Sequence, residues 1–97
     1  MILVRNVFQA KYGHGDELVA VIKEGNAILA QYNMGKQRIL TDLSGDFFTV
    51  VMELEMESLS AYENSREAFE DPAFGPWFQR MMEFVESGRR ELFTIED

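Results

Sequence analysis

Residues 47–57 read Phe-Phe-Thr-Val-Val-Met-Glu-Leu-Glu-Met-Glu, and the alternation in this stretch decides the fold. Phe48, Val50, Met52, Leu54 and Met56 make an unbroken period-two apolar face. Phe47, Thr49, Val51, Glu53 and Glu55 make a mixed face opposite. Upstream, Ser44-Gly45-Asp46 is a tight turn, and Gln37 to Leu43 reads as a second strand paired through it. Further upstream, Leu18, Val21, Ile22, Gly25, Ile28, Leu29 and Tyr32 recur at helical spacing and predict a helix from about Asp16 to Tyr32. Asp16 is placed to accept from the free N–H groups at its start, and Gly35 follows its end. Before the Gly13-His14-Gly15 turn, Ile2 to Tyr12 alternates again. Ile2, Val4, Phe8 and Ala10 share one face with Asn6; Leu3, Arg5, Val7, Gln9 and Lys11 share the other.

Downstream, a helix starts near Ser58, where Ser60 and Glu63 have capping-box spacing. Asp71-Pro72 breaks it, because proline lacks an amide hydrogen and pushes the preceding residue out of the helical region. A second helical piece resumes near Pro76, directing Trp77, Phe78, Met81, Met82 and Val85 to the core, and Gly88 is read as its C-terminal cap. Arg89 to Ile95 forms the last strand, with Phe93 and Ile95 on one side. The order β-α-β-β-α-β predicts an α+β, ferredoxin-like fold: a four-stranded antiparallel sheet with both helices on one face. Strands one and three are expected side by side in the middle, running parallel.

Ninety-seven residues predict one domain over 1–97. Nine Lys and Arg against seventeen Asp and Glu leave a net charge of −8, which argues against nucleic acid and anionic membranes as partners. The absence of cysteine excludes disulfides, zinc–thiolate sites, iron–sulfur clusters and thiol catalysis. Arg5 interrupts the N-terminal apolar run too early for a signal peptide, and no run approaches the roughly twenty apolar residues of a membrane helix. A cytoplasmic protein is expected.

The helix-free sheet face carries Leu3, Val7, Phe47 and Val51 among Arg5, Gln9, Thr49, Glu53 and Glu55, where a solvated face would be mostly polar. Burying those four apolar side chains would contribute roughly 1.5–3 kcal/mol each before ordering costs. A chain this short buries only roughly 60–65% of its unfolded surface, so association has something to supply. These features predict a homodimer packed sheet face to sheet face, with charged pairs satisfied across it.

Asp71-Pro72-Ala73-Phe74-Gly75-Pro76-Trp77, followed by Val85-Glu86-Ser87-Gly88-Arg89-Arg90-Glu91, resembles the dimeric α+β-barrel superfamily. Small NIPSNAP-like and antibiotic-biosynthesis-monooxygenase-like domains are the closest in layout, over essentially the whole chain. That resemblance implies a cofactor-independent monooxygenase-like enzyme, or a binder of a small apolar or aromatic molecule. The alternative it implies is a non-catalytic NIPSNAP-like dimeric module whose interior is only core.

Asn6 is the one strongly polar side chain on an otherwise apolar strand face. It is either bonded to a protein neighbour or aimed into a pocket, where it would hold a substrate carbonyl or oxygen. By its place in the first strand it resembles the asparagine of the cofactor-free monooxygenases, and Trp77 resembles their tryptophan. Phe8, Tyr62, Phe74, Trp77 and Phe78 would line such a site, or else are plain core. Tyr12 and His14 are the reserve proton carriers. His14 is the sole histidine and lies in a turn, not in the second helical segment where haem-degrading members place their ligand, so no haem and no other cofactor is expected. Glu53, Glu55 and Glu57 could hold a hard cation, but ion pairs with Arg5, Arg38 or Arg90 are the better reading, and no metal site is expected. No Ser-His-Asp set, phosphate-cradling loop or paired metal-spaced histidines occurs.

Overall fold

The computed structural model describes residues 1–32, 34 and 37–96, and Gly35, expected to follow the first helix, lies outside them. Alternating side chains build β1 (Ile2–Ala10) and β3 (Thr49–Met56), and these two strands form the centre of the sheet. Around them come α1 (Gly15–Ala30), β2 (Arg38–Thr41), α2 (Leu59–Asn64), a 3₁₀ helix (Ser65–Glu70), α3 (Phe74–Met82) and β4 (Val85–Thr94). The sheet order is β2-β3-β1-β4, and all three neighbouring pairs are antiparallel. β1 and β3 therefore run antiparallel, not parallel as expected. The helical crossover returns β2 parallel to β1, and the tight connection through Ser44-Gly45-Asp46 then reverses β3 into the gap between them.

Local chemistry accounts for the helix ends, with two departures from expectation. His14, not Asp16, occupies the N-cap of α1 and makes no side-chain cap; its Nδ1 lies 2.6 Å from Glu17 Oε1 instead. Asp16 falls in the first turn, where its charge still complements the helix dipole. In the second helical region the cap is Ser58, whose Oγ accepts from the Ala61 amide at 3.1 Å, rather than Ser60. Asp71 breaks the run as predicted, with extended backbone ahead of Pro72. One of its carboxylate oxygens accepts from the Ala73 amide at 2.8 Å and the other from the Tyr32 hydroxyl at 2.7 Å. The Ala73 amide and then Tyr32 hold this carboxyl below its ordinary pKa, while the same bond to Asp71 holds the Tyr32 phenol above its own. The pair ties the region just beyond α1 to the joint ahead of α3.

Pro76 sits in the first turn of α3, where its missing amide hydrogen costs nothing. Gly88 is not a helix cap. β4 begins at Val85, almost directly after α3, so Gly88 lies inside the strand opposite Phe8. A Cβ there would come within 3.0 Å of the Phe8 ring, so the bare backbone makes room for that ring.

The core forms two clusters on the helix side of the sheet. Ala10, Leu18, Val21, Ile22, Val50, Met52, Trp77 and Met81 make the larger; Val4, Leu54 and Met56 make the smaller. Along β1, Asn6 stands between the residues of one cluster and those of the other.

The helix-free face is organised in rows across the strands. Arg38, Glu53, Arg5 and Glu91 stand side by side on β2, β3, β1 and β4, alternating in sign. Arg5 Nε is 3.2 Å from Glu53, Arg5 Nη1 is 2.8 Å from Glu91, and Arg38 also pairs with Glu53. The bond from Arg5 holds the Glu91 carboxyl below its ordinary pKa. Of the expected ion pairs, those of Arg5 and Arg38 form, whereas Arg90 lies on the other face, 5.8 Å over the Tyr62 ring. The next row is Leu40, Val51, Val7 and Arg89. Val7 and Val51 are each only 7% exposed in the single chain, where longer neighbours flank them. The apolar exposure of this face therefore rests on Leu40 and Phe93, at 38% and 48%. Phe47, expected on this face, precedes β3 and packs edge-on against Tyr12 at 6.1 Å.

Candidate functional site

A cavity of about 470 Å³ opens between the sheet and the second helical region, where the two clusters fail to meet. Its floor is the inward face of β1 and β3: Val4, Asn6 and Phe8 with Met52, Leu54 and Met56. Its aromatic wall is Tyr62, Phe69, Phe74, Trp77 and Phe78, in which Phe74 and Phe78 stack at 5.8 Å and Phe74 meets Trp77 at 5.5 Å. Five of the six methionines line it, namely Met34, Met52, Met56, Met81 and Met82. Unbranched thioethers reshape at low cost, so such a wall adapts to its occupant.

Polar groups are few and placed singly. Asn6 is half-buried, pairs in register with Met52 on one side and Arg90 on the other, and its carboxamide has no protein hydrogen-bond partner among the described residues. Gln37 is 7% exposed, lines the same cavity, and its Oε1 is buried without a partner. A buried amide oxygen is costly when unpaired, so the Gln37 Oε1 marks the cavity as a place to receive a donor, and the half-buried Asn6 adds a second carboxamide to the same lining. Arg66 and Arg90 stand among the exposed residues at its open side. Among the described residues no Asp, Glu, Lys or His lines the cavity, and no three metal-binding side chains cluster anywhere.

Trp77 is 5% exposed and spends its indole N–H on the Val21 carbonyl of α1 at 2.6 Å. It offers the cavity a ring face, not a donor. Gly25 makes this possible, since a Cβ there would stand 2.5 Å from Cε2 and 2.8 Å from Nε1 of the indole.

The structure places Asn6, Phe8, Tyr62, Phe74, Trp77 and Phe78 on one cavity. It does not bring Tyr12 or His14 there. Tyr12 is 77% exposed beside Phe47 and Phe48, and His14 sits on Phe84, 5.8 Å ring to ring. Gln37, Arg66 and Arg90 were not singled out as site residues from the sequence. Only for Arg90 was a signal present, because strand alternation puts it on the inward face opposite Asn6.

No protein-family model and no curated protein matches the chain. Solved structures do. An uncharacterized NIPSNAP domain protein from Burkholderia xenovorans superposes with a TM-score of 0.89 at 20% identity, covering 99% of this chain and 95% of that one. SnoaB, a cofactor-independent oxygenase from Streptomyces nogalater, superposes at 0.76 and 20% identity, covering 99% and 93%. An antibiotic biosynthesis monooxygenase superposes at 0.75 and 14% identity over 100% of both chains. At these identities the likeness establishes the fold, the one the sequence resemblance implied. Among the described residues no helix is long and apolar enough to cross a membrane.

Proposed function

We propose that this chain is a homodimer that binds a small, largely apolar, aromatic molecule in the cavity between its sheet and its second helical region. The observation that carries the reading is the open space beside Asn6 and Trp77; a module whose interior served only as core would fill it. Its volume falls in the range of small-molecule sites, and its lining is mainly aromatic and thioether with a few single polar groups. Titration with 9-anthracenemethanol, a flat neutral aromatic, tests it. Trp77 is the only tryptophan and its ring lines the cavity, so saturable quenching of its emission is expected. Quenching that rises linearly without saturation refutes the reading.

The dimer rests on the exposed Leu40 and Phe93 of the helix-free face, on which no other described helix or strand packs. Sedimentation at low micromolar concentration should give twice 11.2 kDa, and a single species of protomer mass would refute it.

A second reading, cofactor-independent oxygenation, is favoured by the unpaired Asn6 carboxamide and by the fold shared with SnoaB, itself such an oxygenase. On an activated ring methylene the balance is simple. The carbon loses two hydrogens and gains one oxygen as a carbonyl; dioxygen supplies it, and the other oxygen atom leaves as water. Asn6 would donate its amide N–H to the substrate oxygen on which negative charge develops. Among the described residues no carboxylate, lysine or histidine lines the cavity, so the first proton passes to solvent. Anthrone is a suitable probe: oxygen uptake with formation of anthraquinone is expected, and Asn6→Ala should abolish it while the dimer persists. Unchanged turnover in that variant would remove Asn6 from the mechanism.

A further inference from the structure

Charge is distributed unevenly over this acidic chain. Three of its six arginines, Arg5, Arg38 and Arg80, lie off the aromatic cavity, and every one of them is ion-paired: with Glu53 and Glu91, with Glu53, and with Glu24. The other three border the cavity. Arg89 belongs by register to the opposite sheet face and pairs with Glu91. Arg66 and Arg90 have no carboxylate partner among the described residues. Arg90 is held over the Tyr62 ring, a contact that fixes the position of the guanidinium without neutralising it. The chain has seventeen acidic residues, and among the described residues none of them lines the cavity. A greasy chamber with two uncompensated guanidinium groups at its mouth, in a molecule of net charge −8, is complementary to one kind of solute.

We infer that the occupant of this cavity is an organic carboxylate, whose acid group is bound by Arg66 and Arg90 while its apolar body lies against the aromatic wall. The guanidinium fork matches the planar carboxylate, which an ammonium would bind only as a point charge. Asn6, directly opposite Arg90 across the β1–β4 pair, is positioned to read the group next to the acid. The general repulsion of an anion by the acidic protein is offset locally, so the two arginines also select against neutral and cationic molecules of the same shape.

This inference rests on the cavity-binding reading above, and one titration separates the two. Trp77 emission is followed while 9-anthracenecarboxylate or its neutral counterpart 9-anthracenemethanol is added to the wild type, to R66Q, to R90Q, to the double variant, and to R80Q. The carboxylate is expected to bind about 10- to 100-fold tighter than the alcohol to wild type and R80Q. In the double variant that advantage should vanish while affinity for the alcohol is unchanged, which also certifies an intact cavity. Equal binding of both probes to the wild type overturns the carboxylate assignment and leaves the cavity reading standing. An equal loss in R80Q overturns it too, by showing a general charge effect. Saturable quenching by neither probe overturns both readings.

Discussion

Replacing Gly25 by Ala sets two local effects against each other, and the structure decides between them. In the interior of α1, alanine is favoured over glycine by about 0.8–1 kcal/mol. The new Cβ, however, would stand 2.5 Å from Cε2 of Trp77, a buried ring with no flexible end to give way. Moving the ring overpacks the site at a cost of about 1–3 kcal/mol. It also draws the indole N–H away from the Val21 carbonyl, and a buried donor left unpaired costs about 1–3 kcal/mol more. The balance is a net destabilisation of about 1–5 kcal/mol, or a fall in melting temperature of at least about 5 °C for a domain of this size. Thermal unfolding at fixed protein concentration measures it, since the melting temperature of the proposed dimer would move with concentration. Trp77→Phe removes the part of the ring that Gly25 accommodates, so G25A should cost less in that background, with a coupling of about 0.5–3 kcal/mol. A more stable G25A protein with unchanged tryptophan emission would refute the close packing of helix and indole.

Further expectations concern charges and caps. Asp71 has a depressed folded-state pKa, so its contribution is complete above the unfolded value and disappears as pH falls through the folded one. The stability gap between wild type and D71N should therefore close below about pH 4. Tyr32 is shifted upward, so its contribution is present below its unfolded pKa; the gap to Y32F should close above about pH 10. In urea unfolding, S58A should lose about 1 kcal/mol whereas S60A stays within about 0.5 kcal/mol, because only Ser58 caps α2. Arg5→Gln should cost about 1–2 kcal/mol, measurably more than R89Q, since Arg5 bridges two carboxylates with its side chain 34% exposed while that of Arg89 is 65% exposed.

The sheet was legible because period-two alternation is a direct consequence of strand geometry, and the face of β3 from Val50 to Met56 shows it without a break. Asn6 was legible for the same reason: a lone amide in an apolar row marks an interruption, and the two core clusters do part at that point. Direction was harder to read than order. Nothing in the β1 or β3 side chains states polarity; it follows from counting chain reversals. Gly88 was misread because glycine ends helices and also admits a ring onto a strand, and only the position of Phe8 distinguishes the two. Arg66 escaped notice because it follows the change from α2 to 3₁₀ geometry at Ser65, which alters the angular step that assigns residues to a face. Gln37 precedes a strand of only four residues, too short for an alternation to single out its polar side chain.

The alternating row on the helix-free face has a geometrical consequence for the proposed pair. Rotating a copy by half a turn about an axis along the strands reverses β2-β3-β1-β4, so Arg38 meets the partner's Glu91 and Arg5 meets the partner's Glu53. Half a turn about an axis along the row itself sets each charge against its own image. The even number of strands thus gives the face a handshake that closes in one orientation and repels in the other. An odd-numbered sheet with the same alternation would set like against like in either case.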